Sequence, residues 1–166
     1  MHHIDEELIE ICVKHLKSGK AAGADRLVAK HIVHAAPSLI IHLKLLFSLF
    51  LSHGYVPDAF SFEINIPIIN DTSGDPSLLD NYRPITLYPV ISKLFQNVLM
   101  ELFGNHLISD DLQFVFNKKV GCQIAIFVLR QLVQFFNSRS SNVYIASLHA
   151  SKAFDRVNHF LLFIQL

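Results

Sequence analysis

Apolar residues recur at helical spacing along most of this chain. Leu8, Cys12 and Leu16 lie four positions apart behind a pair of acidic residues, a pattern typical of an amphipathic helix near its start. Two further apolar stripes follow Pro37 and Pro89, a residue that favours the first turn of a helix. Helices are therefore predicted over 5–17, 26–35 with Asp25 as cap, Pro37 to the stop at Gly54, 89–107, 121–137 and 154–165.

The same stripes predict which helix faces are buried. Residues three or four positions apart lie on one face of a helix, so an apolar stripe marks the side that packs inward. The residues expected to face inward are Leu39, Leu43, Leu46, Phe47 and Phe50 in the third helix, Val90, Leu94, Val98 and Leu102 in the fourth, and Ile124, Val128, Leu132 and Phe135 in the fifth.

Two segments are predicted to be strands. Phe62, Ile64, Ile66 and Ile68 alternate with other residues, which predicts a strand. Pro67 cannot donate to a ladder, so this strand should lie at an edge or bulge. Residues 142–149 form the second predicted strand. With a polar, turn-rich loop after the first strand and no internal repeat, the pattern predicts an α+β fold that is mostly helical.

Composition narrows the function only slightly. The chain has 166 residues, about one domain, and 51% of them are hydrophobic, which is enough for a core. Lysine plus arginine equals aspartate plus glutamate, at 14 each, so the formal net charge is zero. Nucleic-acid binders usually carry a basic face because phosphate contacts supply most non-specific affinity. Nucleic-acid binding by this chain alone is therefore less expected, although equal numbers of basic and acidic residues are compatible with a local basic patch.

Metal, disulfide and membrane signals are weak. Cys12 and Cys122 form no disulfide framework, and His31 and His34 lack further ligands that would complete a zinc set. The apolar run at 39–51 is interrupted by charge and is shorter than the roughly 20 residues of a spanning helix. No signal-peptide pattern opens the chain. We expect an intracellular protein, nuclear or cytoplasmic, with no membrane role.

The most distinctive segment is residues 144–159, Y-I-A-S-L-H-A-S-K-A-F-D-R-V-N-H. It resembles motif A of reverse transcriptases from LINE-type non-LTR retrotransposons, whose pattern is A-x-L-D-x-S-K-A-F-D-R-V-N/D-H. The match is almost complete except that His149 stands where the family carries its first catalytic aspartate.

Other blocks of the same family follow in its order and at about its spacing. Ala24 in the first block and Arg26 directly after it stand where the family has proline and glycine. Together the blocks extend the resemblance over roughly residues 18–166. The blocks are 18–25 (family pattern G-K-A-x-G-P-D), 66–69 (I-x-P-L), 80–87 (N-Y-R-P-I-S-L) and 113–122 (Q-x-G-F-x-K-G).

The resemblance implies an incomplete right-hand polymerase. Residues 1–60 would be a helical segment leading into the reverse transcriptase region, and 61–141 a fingers-like part. Residues 142–166 would be the start of the palm, containing its first strand.

The implied ancestral activity is RNA-directed DNA polymerisation, but this chain is expected to lack it. Nucleotidyl transfer uses two magnesium ions, which prefer carboxylate oxygens, whereas the imidazole of His149 suits softer metals and brings no negative charge. Asp155 matches a second aspartate that the family also has, so it would keep a structural role. No Y-x-D-D sequence occurs before the chain ends at Leu166. No intact catalytic residue, metal site or cofactor is expected; magnesium belongs to the family.

Three residues keep family positions linked to nucleotide binding. Phe154 matches the bulky residue that crowds the sugar 2′ position, although packing is the simpler role without catalysis. Arg83 would touch template or triphosphate, or pair with Asp80 instead. Lys118 would contact phosphate, or lie on a solvated face.

The possible partners divide into two kinds. The resemblance implies an RNA or DNA template, which leaves non-catalytic nucleic-acid binding as an alternative function. The apolar tail 160–166 implies a protein-interaction remnant instead, with self-association and marginal stability of the isolated chain. Whether the chain has any selected role is left open by the sequence.

Overall fold

The computed structural model describes residues 3–107, 113–115, 121–150, 153 and 156–165. The chain divides into two compact units, Met1–Asn105 (unit 1) and His106–Leu166 (unit 2). The domain boundaries drawn from the sequence at 60/61 and 141/142 stay predictions.

Helices dominate the described residues, and a two-stranded antiparallel sheet accompanies them. This confirms the predicted α+β class with a mostly helical content. The elements are α1 (Glu6–Lys14), α2 (Ala29–Val33), α3 (Ser38–His53), β1 (Ile64–Ile69), β2 (Tyr82–Leu87), α4 (Val90–Phe103), α5 (Cys122–Asn137) and α6 (His159–Gln165).

Local sequence signals account for several helix ends. The Asp5 carboxylate accepts a hydrogen bond from the Leu8 amide at 2.8 Å and caps α1. Gly54 ends α3 in the left-handed conformation, with φ of 61°. The predicted cap at Asp25 is wrong, because its carboxylate accepts from Leu27 in the turn before α2, which begins only after Val28.

The strand predicted from Phe62, Ile64, Ile66 and Ile68 is confirmed, although it begins at Ile64 and excludes Phe62. Its partner β2 was not predicted. Ile66 pairs with Ile85, and Pro67 lies directly opposite Pro84. Just beyond the sheet the Asn70 amide donates to the Asn81 carbonyl at 2.7 Å. Because paired positions alternate in an antiparallel ladder, the two prolines fall at a non-hydrogen-bonded pair.

This position explains how the hairpin accommodates two prolines. A residue of a non-hydrogen-bonded pair directs its N–H away from the neighbouring strand, so Pro67 and Pro84 remove donors only from the outer edges. Both strands of a two-stranded sheet are edges, as Pro67 predicted for β1. On one face the hairpin presents Ile64, Ile66, Ile68, Arg83, Ile85 and Leu87.

The strand predicted over residues 142–149 is not formed. Residues 141–150 have no regular secondary structure. A strand requires a neighbouring strand for its N–H and C=O groups, and no described residue pairs with this segment. The strand prediction for residues 142–149 is therefore wrong.

Unit 1 contains a core built from α1, α3 and α4. The predicted inward faces of α3 and α4 are confirmed, with Phe47, Leu94 and Val98 fully buried. Aromatic rings join the elements: the centroids of Phe47 and Phe95 lie 4.9 Å apart, and Phe50 meets Phe60 edge-on at the same distance. The core therefore links α3, α4 and the segment before β1.

Gly23, in the first sequence block, makes a close backbone contact in unit 1. A Cβ built on Gly23 would lie 2.8 Å from the Pro89 nitrogen and 2.9 Å from the carbonyl atoms of Tyr88. Backbone atoms cannot rotate aside as a side chain does, so only glycine fits here. The contact fixes the loop before α2 against the junction between β2 and α4.

In unit 2 most of the large apolar side chains that are described are exposed, in contrast to those of the unit 1 core. The stripe of α5 that was predicted to face inward is exposed, with Ile124, Val128, Leu132 and Phe135 each at least 40% accessible. The inward prediction for α5 is therefore wrong, because no described residue of unit 2 covers this stripe. All the buried hydrophobic residues among those described lie between Ile4 and Val98.

Replacing Gly23 tests the backbone contact. Gly23→Ala should lower the free energy of unfolding by about 1–3 kcal/mol, since the methyl group forces the backbone of Tyr88 and Pro89 to move. Chemical denaturation monitored by circular dichroism measures this change. Gly104→Ala is the matched control, because Gly104 has helical dihedrals and no atom within 4 Å of its added Cβ. Equal stability of the two variants would contradict the contact.

Candidate functional site

The structure leaves the motif A histidine on the surface. His149 lies exposed in the irregular segment 141–150, next to Leu148, which is completely accessible. Among the described residues, no group of three or more histidine, cysteine, aspartate or glutamate side chains is arranged to hold a metal ion. With an imidazole at position 149 and no convergent carboxylates, the described residues do not fit a magnesium site.

Two of the three nucleotide-binding predictions fall outside the described residues. Phe154 and Lys118 both lie there, so the predicted contacts of these side chains with sugar and phosphate stay predictions.

Arg83 lies in β2 and is exposed. It is paired with Ile68, so it stands on the apolar face of the hairpin next to Ile66 and Ile85. The position gives its guanidinium access to solvent and to any anionic partner that approaches this face. Contact with a template or a triphosphate stays a prediction for this residue.

The loop that joins the two strands is organised by side-chain hydrogen bonds. Asp71 accepts from the amide and the hydroxyl of Ser73 at 2.9 and 2.6 Å, and Asp75 accepts from Ser77 at 2.8 and 2.7 Å. The serine hydroxyls and amides lower the pKa of both aspartate carboxyl groups. These bonds stabilise the ionised carboxylates and define two successive turns.

Asn81 connects both ends of the same loop. Its side chain accepts from the Asp71 amide and donates to the Asp71 carbonyl, each at 2.9 Å, and it also reaches the carbonyl of Asp75. Tyr82 adds a bond from its hydroxyl to the Pro76 carbonyl at 2.9 Å. The asparagine of the N-Y-R-P block therefore has a structural role in closing the hairpin loop.

Unit 1 contains a cavity that sequence reasoning did not identify. It has a volume of about 300 Å³ and lies beside the C-terminal end of α1, the loop before α2 and the first turns of α4. We call it the basic pocket, defined by His15, Lys17, Lys20, Tyr88, Lys93 and Asn97.

Tyr88 is positioned in this pocket by an acidic neighbour. Its hydroxyl donates to the Glu63 carboxylate just before β1, and this bond together with partial burial raises the pKa of Tyr88. Lys20 belongs to the first sequence block, whereas Lys93 follows the third. Only the fold brings them to one cavity, and no spacing in the sequence indicated it.

Comparison with known proteins indicates the origin of the chain. No family model matches it. Over 119 residues it is 29% identical to the "Retrovirus-related Pol polyprotein from type-1 retrotransposable element R2" of Nasonia vitripennis. The aligned region covers 70% of this chain and 11% of that polyprotein. The chain is retrotransposon-related. It spans only a small part of the relative that it matches.

The helices of the described residues include none that is both long and apolar enough to cross a membrane.

Acidification should loosen the hairpin loop. The pKa of Asp71 and Asp75 is lower in the folded loop than in an open one, so the open loop takes up protons first as pH falls. The carboxylates therefore stabilise the loop above about pH 4 and lose this effect as pH falls through their lowered pKa. Amide exchange of Ser73 and Ser77, followed by NMR, should accelerate relative to the buried core.

The control for this titration removes the ionisable groups. In Asp71→Asn/Asp75→Asn the side-chain acceptors remain but do not ionise, so the acid-dependent change in serine amide exchange should disappear. The same acid-dependent change in both proteins would show that other groups control the loop.

Proposed function

We propose that this chain is a reverse-transcriptase-related segment of a non-LTR retrotransposon polyprotein, covering the fingers and the start of the palm. The observation that supports this best is the meeting of three sequence blocks in unit 1. Block 66–69 pairs with block 80–87 in the hairpin, and Gly23 of block 18–25 contacts Tyr88 directly after it. The similarity to the R2 polyprotein independently supports a retrotransposon origin.

The chain does not catalyse nucleotidyl transfer at motif A in this proposal. The side chain at position 149 is a neutral or cationic imidazole in place of a carboxylate. Such a group neither supplies a hard oxygen ligand nor offsets the charge of a divalent cation. RNA-directed DNA synthesis is thus the activity of the ancestral family, and the chain retains the surrounding motif without its first metal ligand.

A motif graft isolates the effect of position 149. Residues 144–159 are placed in motif A of an active non-LTR reverse transcriptase, either as they stand or with His149→Asp. The graft with His149 should lower template-primer extension by more than about 100-fold, beyond what loss of an outer-shell partner of a metal costs. The His149→Asp graft should retain extension within about tenfold of the recipient, measured with magnesium and with manganese.

The paired grafts separate the histidine from its neighbours. Both grafts contain the same 15 other residues of the segment. Loss of extension in both would therefore show that these other residues, and not position 149, cause the defect. Full extension by the graft that contains His149 would refute the proposed loss of catalysis.

A second candidate function is nucleic-acid binding without catalysis. The observation that favours it is the cluster of basic side chains at one cavity of a chain whose net charge is zero. Such binding should weaken as salt rises, because phosphate contacts release counterions. Fluorescence anisotropy of a labelled single-stranded oligonucleotide measures it.

Self-association through the C-terminal tail is the partner proposal. The described part of the tail is α6, whose Phe160 and Phe163 are more than 70% exposed. Exposed apolar surface of this kind favours association. Sedimentation velocity of the 166-residue chain should show species larger than a monomer, and Phe160→Ser/Phe163→Ser should shift them toward the monomer.

The control for the tail is an apolar pair elsewhere. Leu78→Ser/Leu79→Ser removes two exposed leucines from the hairpin loop and should leave the sedimentation profile unchanged. A monodisperse wild-type monomer with a sharp unfolding transition would refute self-association.

A further inference from the structure

We propose that the basic pocket of unit 1 binds a phosphate group of a nucleotide unit. The proposal deepens the nucleic-acid-binding candidate, and it rests on that candidate where the nucleotide belongs to a strand. A free nucleotide is the other source of the same chemistry.

Charge is the first argument. Lys17, Lys20 and Lys93 line the cavity together with His15, and none of the described residues that line it is acidic. Over the whole chain 14 acidic residues balance 14 basic ones, so three lysines at one cavity is a local excess. Lysine ammonium groups bind phosphate as point charges, without the bidentate geometry that arginine uses. Glu63 does not line the cavity, but it accepts a hydrogen bond from Tyr88, which does.

The position of Lys93 is the second argument. Lys93 is half-buried in the first turns of α4, beside Val90, which is buried in the core. A lysine whose stem packs on apolar surface holds its ammonium group in a narrower range of positions than a fully exposed lysine does. The N-terminal end of α4, a helix of 14 residues, adds a favourable potential for an anion at the same cavity.

Size and neutral groups are the third argument. A volume of about 300 Å³ lies at the lower end of small-molecule sites and is comparable to one nucleotide unit. Leu16, Leu27 and Tyr88 supply apolar and aromatic surface for a sugar or base, and Gln96 and Asn97 supply amide hydrogen-bond groups. Stacking of a base on an aromatic ring is a common, sequence-tolerant contact for single strands.

The backbone contact of Gly23 shapes this pocket. It holds the loop that contains Lys20 and Ala21 against the Tyr88–Pro89 junction, so one lysine of the loop and one of α4 face a common space. The pocket is thus a consequence of tight packing in unit 1 and does not depend on any residue of motif A.

The test compares pocket lysines with matched surface lysines in the full 166-residue chain. Lys20→Gln/Lys93→Gln removes two charges at the pocket. Lys14→Gln/Lys30→Gln removes two exposed lysines that do not line it. The probes are a fluorescein-labelled single-stranded 12-mer, as DNA and as RNA, and deoxyadenosine triphosphate as free nucleotide. Circular dichroism confirms that each variant is folded, and Lys20→Arg/Lys93→Arg restores charge at the same positions.

The pocket variant should weaken 12-mer binding about tenfold, and the slope of log K against log salt should become shallower by about 0.7 for one lost phosphate contact on a single strand. The control pair should change Kd less than about twofold. The arginine pair should recover most of the affinity, a result that a merely structural role of the lysines does not predict. If the chain binds the 12-mer and the triphosphate does not compete, the phosphate in the pocket belongs to a strand. If the triphosphate competes and the pocket variant abolishes this competition, the pocket binds a free nucleotide.

Two results would overturn the proposal, and they differ in meaning. Equal weakening by the pocket and control variants would indicate diffuse electrostatic attraction, which refutes the pocket and leaves nucleic-acid binding in place. No binding of either probe by the wild-type chain would refute both the pocket and the nucleic-acid candidate. Neither result alters the motif graft, which tests the proposed origin and loss of catalysis separately.

Discussion

The structure of unit 1 depends on the approach of two backbones at Gly23. A virtual Cβ there would overlap the peptide between Tyr88 and Pro89, so the loop after α1 can lie this close only without a side chain. That peptide is also where β2 ends and α4 begins. One contact therefore sets the positions of the loop, the hairpin and the first turn of α4 relative to one another. The basic pocket occupies the space that they leave.

Burial is distributed very unevenly over the described residues. The core of unit 1 combines aromatic rings from α3 and α4 with the buried face of α1. In unit 2, α5 has a clear amphipathic pattern, yet its large apolar side chains are substantially exposed. Arg139 stacks on the Phe135 ring at 3.8 Å to its centroid, which covers only part of this surface. The buried apolar residues among those described therefore belong to unit 1, whereas most apolar side chains of α5 in unit 2 are exposed.

The sequence predicted the features that depend on nearby residues. α3 and α5 follow from apolar spacing, and the α3 stop follows from Gly54, because caps and stripes are local. β2 escaped prediction since Pro84 interrupts its pattern, and the strand at 142–149 was predicted wrongly since a strand also needs a neighbour. The basic pocket joins Lys20 to Lys93, which no local pattern connects. Of the site residues inferred from motifs, Arg83 and His149 are found exposed, and their roles depend on partners that the chain alone does not supply.

Arg26 has a backbone conformation that is uncommon for a residue with a side chain. Its φ of 57° is left-handed, at the position where the resembled motif has glycine. A non-glycine residue in this region is uncommon and strained, so the turn is held by its surroundings, including the nearby contact of Gly23. The turn at Arg26 therefore carries a cost in local conformational energy.

The opposed prolines of the hairpin have a consequence for how molecules of this chain can meet. Each outer edge lacks an amide donor at its centre, where Pro67 or Pro84 stands, so a strand arriving from another molecule finds an interrupted ladder. The isoleucine-rich ribbon would otherwise be a template for continuous sheet growth between chains. The two prolines therefore make the hairpin a poorer seed for cross-β fibrils than an uninterrupted ribbon of the same length would be.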